Sequence, residues 1–81
     1  MDKRIGVIGI LIEDLAMVSD VNELLHQYGS IIIGRMGVPY RERGVSVISL
    51  IVDGTTDEIG ALTGKLGKLK GLIVRSALSK K

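Results

Sequence analysis

Residues 45–58 read VSVISLIVDGTTDE, and they contain both a strand and the start of a helix. The β-branched run Val45–Asp53 predicts the strand. One of its faces carries Val45, Val47, Ser49 and Ile51, and the other carries Ser46, Ile48, Leu50 and Val52. A strand that is largely apolar on both faces belongs in the interior of a covered sheet. Thr55 and Glu58 then have the T-x-x-E spacing of a capping box, which predicts a helix with Thr55 as its N-cap.

The chain after this stretch predicts a helix followed by a last strand, Gly71–Leu78. The apolar stripe of the helix consists of Ile59, Leu62, Leu66 and Leu69. Its spacing alternates between three and four residues, as on one helical face. The helix also contains Gly60, Gly64 and Gly67, each of which weakens it by about 1 kcal/mol relative to alanine. We expect these glycines to let the helix approach a neighbouring element closely.

The chain before this stretch predicts two further strands around a first helix. The strands are Lys3–Glu13 and Ser30–Val38, and the polar turn Pro39–Gly44 joins the second of them to Val45. The helix lies within Asp14–Gly29, and its apolar stripe consists of Val18, Val21, Leu24, Leu25 and Tyr28. Gly29 stands where a left-handed cap would end that helix.

The order of elements is therefore β-α-β-β-α-β, which predicts an α+β, ferredoxin-like sandwich formed by a single domain, residues 1–81. Right-handed crossovers place both helices on one face of a four-stranded antiparallel sheet. The other face is left uncovered although its residues are apolar. Since large exposed apolar patches mark interaction sites, we expect the chain to self-associate as a dimer or tetramer.

Composition argues against several classes of function. The 81 residues carry a net charge of +2, contain no cysteine and contain one histidine, His26. We therefore expect no cofactor and no metal site, since disulfides, iron–sulfur clusters and a zinc site within one chain all lack their ligands. His26 has no nucleophile beside it, and no phosphate loop or dinucleotide fingerprint is present, so we expect the chain not to be an enzyme.

Nucleic-acid and membrane partners are also not expected. RNA-binding sheets of this order stack bases on aromatic residues of their central strands, whereas this chain has only Tyr28, on a helix, and Tyr40, in a turn. The basic excess towards the C-terminus, which includes Lys80 and Lys81, is interpreted as a solvated rim and tail. No apolar run reaches the roughly 18 residues of a membrane span, and no signal peptide is evident, so a cytoplasmic location is expected.

The candidate ligand site is the loop between the first strand and the first helix. Its residues are Glu13, Asp14, Leu15, Ala16, Met17 and Val18. The N–H groups that begin a helix can bind an anion or a carboxylate, and Arg35 and Arg41 offer guanidinium groups as counter-charges. The alternative for Arg35 and Arg41, together with Tyr40 and Arg43, is a solvated, charged hairpin without a ligand.

The sequence resembles two related families. Asp14–Leu25, with the pattern D-x-x-x-V-x-x-V-x-x-L-L, and Gly29–Ile32 (GSII) resemble ACT domains. Gly34–Gly44 (GRMGVPYRERG) and Val52–Gly64 (VDGTTDEIGALTG) resemble the regulator family of iron-only hydrogenase systems over nearly the whole chain. The first resemblance implies a module that senses small molecules, commonly amino acids, between subunits. The second implies a role near hydrogenase maturation or expression.

Two departures qualify what these resemblances imply. The fold also resembles the regulatory domain of nickel-responsive repressors, but the comparable positions are Gly37, Pro39 and Val45, none of which binds nickel. Met17 stands where many ACT domains have the glycine that admits an amino acid. We therefore expect a ligand that is smaller than a free amino acid or oriented differently.

Two hypotheses of function follow. The first is a transcription-related regulatory module that senses a small ligand as an oligomer and has no DNA-binding segment of its own, since none remains after the six elements. The alternative is a structural assembly module that binds a protein partner, such as a maturation factor or a DNA-binding protein, through its sheet and takes no small ligand.

Overall fold

The computed structural model describes residues 2–80, so Lys81 of the expected basic tail lies outside the described residues. The strands are β1 (Lys3–Ile12), β2 (Ile32–Tyr40), β3 (Val45–Thr55) and β4 (Leu72–Leu78), and the helices are α1 (Val18–Gln27) and α2 (Thr56–Gly67). Three single 3₁₀ turns lie at Leu15–Met17, Gly29–Ile31 and Arg41–Arg43. The ferredoxin-like order predicted from the sequence is confirmed.

The four strands form one antiparallel sheet in the order β2-β3-β1-β4. β1 and β3 are central, which explains why both are apolar on both faces. Their register pairs Val7 with Ile51 and Ile8 with Leu50. β2 and β4 are the two edges.

The core lies between the sheet and the two helices. It consists of Ile8, Ile10, Ile12, Val21, Leu25, Ile31, Ile48, Leu50, Val52, Ile59, Leu62 and Leu66. Alternate residues of the two central strands enter it, namely Ile8, Ile10 and Ile12 of β1 and Ile48, Leu50 and Val52 of β3. Val18, Leu24, Tyr28 and Leu69 pack against the cluster from its rim, so both predicted helical stripes are confirmed. Lys65 lies over the Tyr28 ring, 5.1 Å from its centroid, and so connects the two helices.

The predicted capping box of α2 is present in both directions. The Glu58 N–H donates to the Thr55 hydroxyl oxygen at 3.1 Å, and the Thr55 N–H donates to Glu58 Oε1 at 2.8 Å. The pKa of the Glu58 carboxyl is lowered, first by the bond from the Thr55 backbone N–H and then by the Thr55 side chain. Two of the donors that a helix start leaves unpaired are thereby satisfied.

The prediction of a left-handed cap at Gly29 is wrong. The two glycines with positive φ in the described residues are Gly44, at 67°, and Gly71, at 71°. α1 instead ends at Gln27 with Tyr28 as its C-cap, and the chain continues into the Gly29–Ile31 turn, where the Ile31 N–H donates to the Tyr28 carbonyl at 3.1 Å. The 3₁₀ turn Gly29–Ile31 thus follows the helix directly and takes the place of the predicted left-handed cap.

The prediction that the α2 glycines allow close packing is also wrong. A Cβ added at Gly60, Gly64 or Gly67 would meet no other atom within 4 Å. The core contacts of α2 are made by its leucines and Ile59, so the glycines lie away from the interior.

β2 begins later and ends later than predicted, and it is irregular at its start. Tyr40 is its last residue and pairs with Val45, so it does not belong to the turn. Ile32 pairs with Val52 while Gly34 pairs with the adjacent Ile51, which makes Ile33 the extra residue of a β-bulge.

The sheet face away from the helices is open and apolar. It is here called the open face, and its large apolar members are Ile5, Val7, Leu11, Met36, Val38, Tyr40, Ile51 and Ile73. Their exposed fractions run from 39% to 68%. Gly9 and Ser49, which pair with each other, form a shallow centre between these side chains.

Candidate functional site

The loop Glu13–Val18 is organised by Asp14. The Asp14 carboxylate accepts a hydrogen bond from the Ala16 N–H at 3.0 Å, and its carbonyl accepts one from the Met17 N–H at 2.9 Å. The N–H of Val18 donates in turn to the Leu15 carbonyl. Donors that we expected to bind an anion are therefore already satisfied within the chain. What the loop presents to a ligand is therefore the second oxygen of the Asp14 carboxylate.

The loop is held against the start of β4 by Gly71. The Gly71 carbonyl accepts hydrogen bonds from the N–H groups of Glu13, at 2.7 Å, and Asp14, at 3.4 Å. A Cβ at Gly71 would lie 2.5 Å from the Asp14 Cβ. Both the close approach and the positive φ of this residue require glycine.

The apolar residues of the loop divide between the surface and the core. Leu15 is 51% exposed, whereas Met17 and Val18 are half-buried and pack against the core cluster. Four grooves of the described surface are lined by residues outside Glu13–Val18. A ligand at this loop would therefore need a second surface to enclose it.

Arg41 lies at the same end of the sheet as the loop. Pro39 pairs with Ser46, Ser46 pairs with Ile12, and Ile12 pairs with Leu72, so the ends of all four strands are level there. Arg41 follows β2 directly and is exposed. The register therefore brings the Arg41 turn and the Glu13–Val18 loop to one end.

Arg35 lies elsewhere. It pairs with Leu50, which pairs with Ile8, so it is four residues from the Ile12 end of the sheet. Its side chain is on the helix side, where the guanidinium Nη2 donates to Asn22 Oδ1 of α1 at 2.9 Å. Arg35 thus belongs to the surface between α1 and β2.

That surface contains a groove that the sequence alone did not predict. Its volume is about 300 Å³, and it is lined by Leu25, His26, Gly29, Ile32, Ile33, Gly34 and Arg35. The one signal was the run Ile31-Ile32-Ile33, since three consecutive residues of a strand cannot all face one core. The bulge resolves this conflict by turning Ile33 outwards, where it is 63% exposed.

No group of three or more His, Asp or Glu side chains that could hold a metal ion is found among residues 2–80. His26 lies in the last turn of α1. None of the helices in that part of the chain is long and apolar enough to cross a membrane.

The sheet order, the two helices on one face and the loop after β1 define an ACT-like domain of the ferredoxin-like class. The ACT domain of the GTP pyrophosphokinase from Chlorobium tepidum has the same fold, with a TM-score of 0.77 and 20% identity over 94% of this chain and 100% of that one. A glycine cleavage system transcriptional repressor, itself a provisional assignment, gives a TM-score of 0.73 at 18% identity. It covers 100% of this chain and 48% of that one. Both likenesses concern the fold alone.

Residues 4–76 match the TM1266-like family, whose description is iron-only hydrogenase system regulator, a provisional assignment. The chain belongs to this family. The structure of the TM1266 protein from Thermotoga maritima is similar to it with a TM-score of 0.92 and 39% identity, covering 98% of this chain and all of that one. No curated protein sequence matches the chain.

Proposed function

We propose that this chain is a regulatory module that assembles through its open face and senses a small molecule at the Glu13–Val18 loop, against a neighbouring copy. The observation that carries the proposal is the apolar open face. Membership of the hydrogenase-system regulator family supports the regulatory role. The module acts on transcription in the cytoplasm through a partner and without direct contact to nucleic acid.

The open face is large enough to drive assembly. Covering a half-exposed side chain of this size contributes about 1 kcal/mol, and each copy offers eight of them. The cost of association is about 4–15 kcal/mol, so two such faces supply a favourable contribution of comparable size, which supports assembly. Two sheets that stack face to face lie about 10 Å apart. The small residues Gly9 and Ser49 leave room for the larger side chains of the facing copy, which favours this spacing.

The loop suits a small ligand that brings both a donor and an anionic group. Asp14 keeps one carboxylate oxygen beyond its bond to Ala16, and Arg41 supplies a cation at the same end of the sheet. Met17 is half-buried and fills space beside the loop, which favours a ligand smaller than a free amino acid or one oriented differently. Enclosure by a second copy would exclude water and strengthen these polar contacts.

A thermal-shift screen against amino acids, other small anions and nucleotides tests the sensing role. A ligand at ~100 times its dissociation constant adds about 2.7 kcal/mol to the free energy of unfolding, which is a clear shift for a domain of this size. Asp14→Ala should abolish that shift, and Met17→Gly should alter which ligand produces it. Light scattering tests assembly independently, because a mass of 8.7 kDa at micromolar concentration would contradict it.

The alternative function is an assembly module without a small ligand. It is favoured by the two edge strands, since β2 and β4 each present unpaired backbone groups to a partner strand. If no small molecule shifts the melting curve while a purified hydrogenase maturation protein or DNA-binding protein does, this alternative replaces the first.

A further inference from the structure

We infer that the groove between the end of α1 and the start of β2 is a second binding site, and that it takes a short, branched aliphatic monocarboxylate. This inference rests on the sensing role proposed above, but it places the ligand in this groove and not at the Glu13–Val18 loop. It is carried by the juxtaposition of Arg35 and His26 with Leu25, Ile32 and Ile33 around a volume of about 300 Å³.

The polar part of the site is pre-oriented. Asn22 and His26 are one turn apart on α1 and therefore lie on the same helical face. Asn22 accepts one N–H of the Arg35 guanidinium at 2.9 Å, which holds that group against this face. A guanidinium has five N–H donors, so enough remain to bind a carboxylate through two parallel bonds.

The apolar part of the site is created by the bulge in β2. Ile33 is the unpaired residue, and its side chain is 63% exposed beside the groove instead of in the sheet. Ile32 and Leu25 form the floor, since Leu25 is fully buried beneath it. Bulges commonly re-aim side chains next to binding sites, and this one supplies an aliphatic wall next to a cation.

The charges around the groove select a monoanion. Its lining contains one arginine, one histidine and no acidic side chain. It lies at the C-terminal end of α1, whose negative dipole opposes any anion, so Arg35 must hold the carboxylate and the lining offers no second arginine or lysine for a doubly charged ligand. An added ammonium group would find no carboxylate in this lining and would be repelled by the Arg35 guanidinium. The site therefore fits a carboxylic acid better than the corresponding amino acid.

Titration of the ¹⁵N-labelled full-length chain with 3-methylbutanoate tests this assignment. We expect saturable amide shifts confined to residues 25–35 at millimolar concentration. Leucine and 3-methylbutan-1-ol, which add an ammonium group or remove the carboxylate, should bind at least tenfold more weakly. Saturation of the same amides by inorganic phosphate with equal affinity would overturn the branched-carboxylate assignment.

Two variants probe the two halves of the groove. Arg35→Gln should weaken binding at least tenfold, whereas the matched control Arg43→Gln, an exposed arginine of the β2–β3 turn outside the groove, should leave it unchanged. Gly29→Leu should fill the groove and abolish binding. Its fold should persist, because the φ of Gly29 is not positive and a Cβ there would meet no atom within 4 Å.

The outcomes separate this inference from the proposed function. If 3-methylbutanoate gives no saturable shifts, or if Gly29→Leu retains them, the groove is not its site. Ligand-dependent shifts at Glu13–Val18 alone would support the loop and overturn the groove. Loss of binding in both Arg35→Gln and Gly29→Leu, with folding and assembly unchanged, would support the groove whatever the loop does.

Discussion

At the scale of single residues, the two glycines with positive φ differ in what surrounds them. Gly44 lies in the β2–β3 turn, and a Cβ there would meet no atom within 4 Å. Gly71 adopts nearly the same φ but is pressed against Asp14, and its carbonyl accepts hydrogen bonds from the N–H groups of Glu13 and Asp14. The first glycine is required by its conformation alone, and the second by conformation and space together.

Replacement of these two residues by alanine should therefore have unequal effects. We expect Gly44→Ala to lower the free energy of unfolding by about 1 kcal/mol, which is the cost of a left-handed conformation for a residue with a Cβ. Gly71→Ala should cost about 1–3 kcal/mol more, because the Asp14 loop must also move. Urea unfolding measures both values. Equal losses in the two variants would contradict the close approach at Gly71.

The contribution of Glu58 at the start of α2 to the free energy of unfolding depends on pH. The pKa of its carboxyl is lowered in the folded state, first by the bond from the Thr55 backbone N–H and then by the bond from the Thr55 hydroxyl. A carboxyl with a depressed pKa stabilises the fold at pH values above its ordinary pKa of 4.5. That contribution is lost as pH falls from about 4.5 through the folded pKa. Glu58→Gln should unfold more readily than the parent at pH 7, and the difference should vanish in acid, as followed by circular dichroism.

At the scale of elements, the capping box sets where α2 begins. Thr55→Ala removes the hydroxyl that accepts the Glu58 N–H, so we expect a loss of about 1 kcal/mol in the free energy of unfolding. Thr56→Ala is the matched control, because Thr56 is the first helical residue and does not act as the cap. A loss of the same size in both variants would show that the effect is not due to capping.

Substitution of an exposed glycine of α2 should stabilise the fold, in contrast to the loss expected for the Thr55 cap. Because a Cβ at Gly64 would meet no atom within 4 Å, Gly64→Ala should raise the free energy of unfolding by up to about 1 kcal/mol. Thermal unfolding at low protein concentration measures this. Destabilisation of the isolated chain would contradict the open position of this residue.

The elements that sequence predicted well are those in which local and global signals agree. The stripe of α2, its Thr55 cap and the alternation of β3 all follow from period and capping, and the structure has each of them. The end of α1 could not be predicted in the same way, because Gly29 permits a left-handed cap without requiring one. The bulge at Ile33 depends on long-range pairing with Ile51 and Val52, which no local pattern of Ser30–Val38 contains. The groove beside it was missed for that reason, and the ligand role of the loop stays a prediction.

At the scale of the whole molecule, the division of apolar residues between two sheet faces is the main feature. Ile8, Ile10 and Ile12 on the helix side of β1 are fully buried, whereas the opposite face leaves Val7 48% exposed. The paired Ile51 is 46% exposed, so this part of the open face is apolar yet half solvated, while Ser49 and Arg75 lie on the same face on either side of Gly9. When one copy folds, apolar surface on the open face therefore stays in contact with water. The hydrophobic effect, which forms the interior of the domain, also favours covering this surface.

A charge placed at the centre of the open face should separate assembly from folding. Val7→Glu adds a carboxylate to a side chain that is half exposed in one copy, so a folded monomer can keep it in water at little cost. In an assembly that stacks two open faces, symmetry buries the charge twice, and we expect the dissociation constant to rise at least about 100-fold. Analytical ultracentrifugation over a range of concentrations measures the change, and circular dichroism checks that the monomer is folded.

Gln27→Glu, an equal change of charge on an exposed residue at the helix side, should leave assembly intact. If the Val7→Glu assembly dissociates no more readily than the Gln27→Glu assembly, the copies do not assemble through the open face. They then assemble through an edge strand or a helix, and the open face binds a different partner.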